Sequence, residues 1–167
     1  ATTPNDDRAG LAHAHGWVID GATDLGAPGL LGERGGAAWV SSTADAIFAN
    51  AHGTMAGICE QLYAGIAQRF GHDRRREPES LWEWPCASFA AVTVANGTLD
   101  CGFVGDCVVL TRGKDGVRFV TPPPDRATES AEAAALGPGV GATKLRAPAV
   151  LADRRASRER EGRKVLS

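Results

Sequence analysis

The first regular element that the sequence predicts is a short, continuous run of apolar residues. Trp17, Val18 and Ile19 favour β-structure, and the run is bounded by glycines. An uninterrupted run of this length predicts a strand that is buried on both faces. The strand ends at Asp20, and a carboxylate in an apolar interior is costly unless a cation, an arginine or N–H donors meet it. The pair Asp20-Gly21 is also typical of a simple turn.

Two further carboxylates, Asp6 and Asp7, lie upstream of this strand. Asp7 precedes Asp20 by 13 positions, a separation that predicts a β-hairpin with the carboxylates close together. Carboxylate oxygens, a backbone carbonyl and water are the ligands that hard cations such as Mg²⁺ and Mn²⁺ prefer. The pattern therefore indicates a candidate cation site at the end of the hairpin.

Helical periodicity follows a glycine-rich segment. Residues 22–36 contain several glycines and a proline, which predicts an irregular loop. Apolar positions then recur at helical spacing over residues 36–50 and 52–70, so we expect two helices whose apolar faces belong to the core. Gly71 is expected to end the second helix, and a charged linker with arginines at 74–76 follows.

Residues 87–120 alternate short apolar runs with turn residues, as an antiparallel meander does. We expect four strands, over residues 87–95, 99–104, 108–111 and 117–120. Asn96-Gly97 predicts a tight hairpin. Gly105-Asp106 interrupts two apolar strands with a carboxylate, whereas Asp115-Gly116 has the polar flanks of an exposed turn.

The pattern weakens after Thr121. Residues 122–124 are prolines, a short helix is expected over residues 127–136, and the arginine-rich stretch near the C-terminal end favours a helix with ion pairs. We therefore divide the chain into residues 1–121 and a poorly patterned continuation of the same domain over residues 122–167.

Composition and charge limit the expected partners and location. The chain has 167 residues, enough for one domain, and a formal net charge of −2, so no overall field attracts nucleic acid. It has no apolar run of about 18 residues and no leading signal-type segment, so no membrane association is expected. Its four cysteines lack the Cys-x-x-Cys spacing of a zinc site, and we expect a reducing cytoplasm. The pattern permits disulfides but does not require them.

His13 and His15 form a His-x-His pair. On a strand, such a pair places both rings on one face and can hold a transition metal. A structural or solvent-facing role is the preferred interpretation, because the pair lies where a strand or hairpin is expected between the two acidic segments.

Three ordered motifs carry a resemblance to a known family. They are Asn-Asp-Asp-Arg at residues 5–8, Trp-Val-Ile-Asp-Gly-Ala-Thr at residues 17–23 and Phe-Val-Gly-Asp-Cys at residues 103–107. Together they resemble the protein phosphatase 2C family of metal-dependent serine/threonine phosphatases, in particular a compact bacterial branch. The resemblance implies an α+β fold, an α/β/β/α layered sandwich of antiparallel sheets flanked by helices, which is incomplete in this chain.

The resemblance also implies a site and a reaction. Asp6, Asp7, Asp20, Gly21 and Asp106 would bind two or more Mg²⁺ or Mn²⁺ ions, and Asp7 and Asp20 would be the catalytic residues. The expected reaction is hydrolysis of a phosphoester by a metal-activated water, most directly of phosphoserine or phosphothreonine in a protein. The residues do not separate a phosphoprotein substrate from a small phosphoester.

Two features of the family have no counterpart in this chain. Its later acidic motifs, an Asp-Gly after an apolar strand and a final Asp-Asn, are absent, and residues 1–4 lack the arginine that usually binds phosphate. Two alternatives therefore stay open. One is a non-catalytic, phosphatase-like binding module, and the other is a fragment whose missing C-terminal part would complete the site.

Overall fold

The computed structural model of the chain describes residues 6–135 and 147–166. They belong to two compact units. The first unit comprises the residues up to 24, 28–77 and 85–123, and the second comprises 25–27, 78–84 and the residues from 124 onwards. Antiparallel sheets and helices make up these units, which confirms the α+β class expected from the sequence.

A four-stranded antiparallel sheet organises the first unit. Its strands are β1 (Arg8–Ala12), β2 (His15–Ala22), β3 (Cys86–Ala95) and β4 (Thr98–Val104), and they lie side by side in that order. The predicted hairpin at Asn96-Gly97 joins β3 to β4. Both residues of this turn have positive φ angles, 51° and 76°, as a two-residue turn that follows the strand twist requires.

Two helices cover one face of this sheet, which we call the inner face. Helix α1 spans Gly35–Asn50 and helix α2 spans Met55–Asp73. The hydroxyl of Thr54 caps α2 by accepting a hydrogen bond of 3.3 Å from the Gly57 N–H. Helix α1 packs against β1, β2 and β3, and α2 packs against α1, β3 and β4, so the two predicted helices are confirmed as core elements.

The prediction that Gly71 ends α2 is wrong, because the helix continues to Asp73. A glycine inside a helix costs only about 1 kcal/mol, which neighbouring contacts can offset. Trp39 of α1 donates from its indole nitrogen to the Asp73 carboxylate at 2.9 Å. This bond between the two helices fixes the last turn of α2. The Arg74 N–H then donates a hydrogen bond of 3.1 Å to the Phe70 carbonyl and ends the helix.

Aromatic contacts tie the helices to the inner face of the sheet. Phe48 of α1 is fully buried, stacks on Trp17 of β2 at 5.5 Å between ring centroids, and meets Phe89 of β3 edge-on at 5.6 Å. Burial of such side chains is the main favourable term in folding. The same core cluster contains Ile19, Ala44, Ala51, Met55, Ile58, Leu62 and Ala91.

Strand β2 is buried on one face rather than on both, so that part of the sequence prediction is wrong. Trp17 and Ile19 point to the helices and are 6% and 2% exposed, whereas Val18 is 44% exposed and Asp20 is also exposed. The outer face nevertheless remains apolar, because Phe103 shares it with Val18 and is likewise 44% exposed. An apolar run specifies two hydrophobic faces but not what covers the second one.

The predicted meander divides into two sheets. Strands β5 (Leu110–Gly113) and β6 (Gly116–Phe119) pair with each other in a separate two-stranded sheet. The break follows β4 at Gly105, whose φ of +77° ends the extended backbone. The Val109 N–H donates to the Thr121 hydroxyl at 3.0 Å and closes the base of the new hairpin.

The second unit joins segments that are distant in sequence. A 3₁₀ turn at Leu81–Glu83 packs against helix α4 (Pro148–Leu166). The guanidinium of Arg155 lies 4.0 Å from the centre of the Trp82 ring and donates two hydrogen bonds, of 2.9 and 2.6 Å, to the Leu25 carbonyl. The Arg155 side chain of α4 therefore contacts both of the other segments of this unit, residues 25–27 and 78–84.

The two helices expected after Thr121 are present. Helix α3 spans Arg126–Ala135, close to the predicted 127–136, although Leu136 itself lies outside the described residues. The arginine-rich stretch forms α4, and its Glu159 accepts a hydrogen bond of 2.8 Å from the Ser80 hydroxyl.

Two observations concern the expected compartment and partners. Within the two described stretches, no helix is both long enough and apolar enough to cross a membrane. All four cysteines, Cys59, Cys86, Cys101 and Cys107, are free and partly buried.

Candidate functional site

The β1–β2 hairpin brings the first two predicted site residues together. Arg8 pairs with Ile19, so the preceding residue Asp7 lies next to Asp20. The Asp7 carboxyl is close enough to Asp20 to act on its pKa. Burial raises the pKa of Asp20 above its ordinary value, and the hydrogen bond and negative charge of Asp7 raise it further.

Asp106 approaches the same position from the turn after β4. Its negative charge also raises the pKa of Asp20. The turn can come this close because Gly105 has no side chain: a Cβ there would overlap the Ser88 hydroxyl, and Ser88 pairs with Asp20 across β2 and β3. Asp7 and Asp106, from two other segments, thus both act electrostatically on Asp20 at one edge of the sheet.

Gly21 and Asp6 lie directly behind this edge. A Cβ on Gly21 would lie 2.9 Å from the Asp6 carbonyl oxygen and 3.0 Å from the Ala37 carbonyl oxygen, so only glycine fits between them. One Asp6 carboxylate oxygen is buried and has no hydrogen-bond partner within the described part of the chain. A buried oxygen of this kind costs about 1–3 kcal/mol or more unless a cation, a water or a donor meets it.

An aspartate in the following loop positions the helix behind Gly21. Asp24 accepts hydrogen bonds from the backbone N–H groups of Gly36, at 2.6 Å, and Ala37, at 3.1 Å. These groups belong to the first turn of α1, where N–H groups have no helical partner. The loop over residues 22–36 therefore fixes the start of α1, and with it the Ala37 carbonyl that confines Gly21.

A cavity of about 420 Å³ opens over the paired aspartates. Arg8 lines it and is held in place by donating to the Asp7 carbonyl oxygen at 2.6 Å and to the Ser42 hydroxyl at 3.1 Å. Cys107 lines the opposite part, where burial and then the negative charges of Asp106 and Asp20 raise the pKa of its thiol. The complete lining is Asp7, Arg8, Ala9, Val18, Ile19, Asp20 and Cys107.

The sequence reasoning assigned no role to Arg8 or Cys107. Each is adjacent to a predicted ligand, since Arg8 follows Asp7 and Cys107 follows Asp106. Both residues stand in the motifs at 5–8 and 103–107, but adjacency in a strand ordinarily sends the next side chain to the other face. Arg8 is the first residue of β1, and Cys107 lies two residues after Gly105, whose φ is positive.

The donor groups fit a hard divalent cation in chemistry, but they do not form a closed cage. Carboxylate and carbonyl oxygens are the ligands that Mg²⁺ and Mn²⁺ prefer, and one buried Asp6 oxygen has no partner in the described part of the chain. Over residues 6–135 and 147–166, no three His, Cys, Asp or Glu side chains are placed to hold one ion together. Two carboxylates with water would be the closest fit, and Mg²⁺ commonly keeps several waters.

The histidine pair does not share a face of β2, contrary to what its spacing indicated. His13 lies in the turn between β1 and β2, with a φ of 52°, while His15 is 6% exposed. The Nε2 atom of His15 donates to the Phe48 carbonyl at 2.7 Å. The preferred interpretation of the sequence, a structural role, therefore holds for His15.

All five predicted site residues lie at or directly behind one edge of the four-stranded sheet. Asp7, Asp20 and Asp106 interact there, and Gly21 and Asp6 pack behind them. Comparison of the chain with models of known protein families, with curated proteins and with solved structures found no match. A function for this edge must therefore be argued from its own residues.

Proposed function

We propose that this chain is a metal-dependent phosphatase module of the protein phosphatase 2C type. Its substrate would be phosphoserine or phosphothreonine in a protein, or a small phosphoester. The observation that carries the proposal is that the carboxylates of Asp7 and Asp106 both act on Asp20 at one edge of the sheet. The negative charges of Asp7 and Asp106 disfavour the ionisation of Asp20, and a divalent cation at this position would favour it.

Each residue would have a distinct role. Asp7 and Asp20 would be the main ligands of two or more Mg²⁺ or Mn²⁺ ions, and Asp106 would contribute a further carboxylate. Gly21 would offer its backbone carbonyl, while Asp6 would reach the cluster with its buried oxygen. When bound, the ions would supply a water of lowered pKa and neutralise charge on the phosphoryl oxygens.

Arg8 would bind the substrate phosphate. Arg8 lines the same cavity as Asp20, and its guanidinium donates hydrogen bonds to the Asp7 carbonyl and the Ser42 hydroxyl. Planar guanidinium groups recognise phosphate through paired N–H donors. This arginine would then take the part of the family's phosphate-binding arginine, for which residues 1–4 provide no counterpart.

We propose that the fold of this module is a layered sandwich. The outer face of the sheet carries apolar side chains that are well exposed, such as Val94 at 58% and Phe103 at 44%. A groove of about 640 Å³ lies over this face, lined mainly by β1, β2, β3 and residues 108–110. In a sandwich, a second sheet packs on such a face at a distance of about 10 Å.

The same face supports a second candidate, a non-catalytic binding module. Contiguous exposed apolar surface is typical of sites that bind another protein. In this case the carboxylates at the sheet edge would have no catalytic role, and metal addition would not produce turnover. Free, partly buried cysteines support a reducing compartment such as the cytoplasm for either candidate.

The test is calorimetric titration of the chain with Mn²⁺, followed by hydrolysis of p-nitrophenyl phosphate and of a phosphothreonine peptide in the same buffer. We expect binding, and metal-dependent release of phosphate that a chelator abolishes. Arg8→Gln should raise KM more than it lowers kcat, because Arg8 would bind phosphate without supplying ligands. Metal binding without turnover by the intact chain would favour the binding module, and neither binding nor turnover would contradict the proposed metal site.

A further inference from the structure

A pair of imidazoles lies at the end of β2 that is distant from the carboxylates. His13 occupies the β1–β2 turn and His52 lies in the connection between α1 and α2. Their ring centroids are 4.5 Å apart and their planes are inclined by 60°. Both side chains are exposed, and in the described part of the chain neither ring has a hydrogen-bond partner.

The separation of the rings agrees with two imidazoles bound to one metal ion. A nitrogen–metal distance of about 2.0–2.1 Å places each ring centre about 3.2 Å from the ion. Two rings at tetrahedral or right angles around that ion are then about 4.5–5.2 Å apart. The observed 4.5 Å lies at the lower end of this range, the value for two ligands at a right angle.

His15 positions this pair without belonging to it. Its ring lies 6.4 Å from that of His13, and its Nε2 donates to the Phe48 carbonyl at 2.7 Å. Phe48 is in the last turn of α1, shortly before His52, so the buried hydrogen bond ties the start of β2 to the segment that carries His52. The two exposed rings are therefore held close by a buried contact between their parent elements.

We propose that His13 and His52 form a two-imidazole site for a borderline transition-metal ion such as Zn²⁺, with water in the remaining positions. Imidazole nitrogens favour zinc, copper and nickel, whereas the carboxylates near Asp20 favour magnesium and manganese. The site is independent of the proposed phosphatase activity. Bound metal would join the β1–β2 turn to the connection between the helices and stabilise the folded chain.

The test is calorimetric titration of the whole chain with Zn²⁺ in excess Mg²⁺, which occupies carboxylate sites, combined with NMR of the histidine ring nitrogens. We expect the ring signals of His13 and His52 to shift together at one equivalent of Zn²⁺. His13→Asn and His52→Gln should each weaken binding by about tenfold or more. Asparagine tolerates the positive φ at position 13, so this variant keeps the turn.

His72→Asn is the matched control. His72 is also an exposed imidazole, but its Nδ1 is 2.7 Å from an Asp73 carboxylate oxygen and it lies in another part of the unit. This variant should bind Zn²⁺ as the unsubstituted chain does. Absence of Zn²⁺ binding in the unsubstituted chain, or unchanged binding in both His13→Asn and His52→Gln, would overturn the proposal.

Discussion

Two Asp-Gly pairs in the first unit have the same residues but different surroundings. A Cβ on Gly21 would lie 2.9 and 3.0 Å from two carbonyl oxygens, whereas a Cβ on Gly116 would meet nothing within 4 Å. Gly116 instead has a φ of +109°, which side chains rarely adopt. Glycine is therefore needed at the first pair for space and at the second for the shape of a turn. The Asp-Gly sequence alone therefore shows neither why glycine is required nor what the aspartate does.

The largest expected difference between the two pairs is in activity. Asp20→Asn should lower the Mn²⁺-dependent hydrolysis of a phosphothreonine peptide by about a thousandfold, since a ligand worth several kcal/mol is lost. Asp115→Asn, in the exposed β5–β6 turn, should leave the rate unchanged. Steady-state kinetics on both purified variants, with circular dichroism to verify folding, measure this contrast. Equal rates for the two variants would remove Asp20 from the proposed site.

A smaller difference is expected in stability. Gly21→Ala should lower the free energy of unfolding by about 1–3 kcal/mol, because two backbone oxygens must move to admit the methyl group. Gly116→Ala should cost about 1 kcal/mol, from backbone strain without a steric clash. Urea denaturation of both variants in metal-free buffer gives the two values. The comparison fails if Gly116→Ala is the more damaging substitution.

The smallest expected effect is a pH dependence at the first pair. The pKa of Asp20 is raised on folding, so the folded chain binds this proton more tightly than the unfolded chain does. Its contribution to stability is present at low pH and is lost as the pH rises from the ordinary value of 3.8 through the raised value. Asp20→Asn stays neutral, so in a chelating buffer it should be more stable than the unsubstituted chain above this window. Urea midpoints measured from about pH 4 to 7 would show the pH above which Asp20→Asn becomes more stable than the unsubstituted chain. Asp115→Asn should show no such pH-dependent difference.

Local signals predicted the elements of the first unit well. Asn96-Gly97, the helical spacing of residues 36–50 and the distance from Asp7 to Asp20 each depend on neighbours in sequence, and each prediction is confirmed. The end of α2 was misplaced because the bond from Trp39 to Asp73 comes from another helix. Tertiary contacts of this kind override local propensity and leave no trace in a single sequence.

Predictions about burial and the cavity were less complete for the same reason. The run from Trp17 to Ile19 suggested two covered faces, and only the inner one is covered by the helices of the first unit. Both Arg8, the first residue of β1, and Cys107, two residues after a glycine of positive φ, line the cavity. Asp20 and Asp106 stand out in the sequence because a carboxylate is unusual beside an apolar strand, and Asp6 and Asp7 because two adjacent carboxylates precede the first strand pair. The residues that face them were not predictable, because their positions depend on turn geometry.

The hydrogen bonds from Arg155 to the Leu25 carbonyl have a consequence for the order of folding. The two residues are separated by 130 positions, so the contact cannot form until residue 155 has been synthesised. The strands and helices of the first unit, by contrast, are complete once residue 123 has emerged. Contacts between residues far apart in sequence are slow to form because a long loop must close first. The second unit should therefore gain protection from hydrogen exchange last. The segment around Leu25 should become protected only when helix α4, more than a hundred residues later in the sequence, has formed.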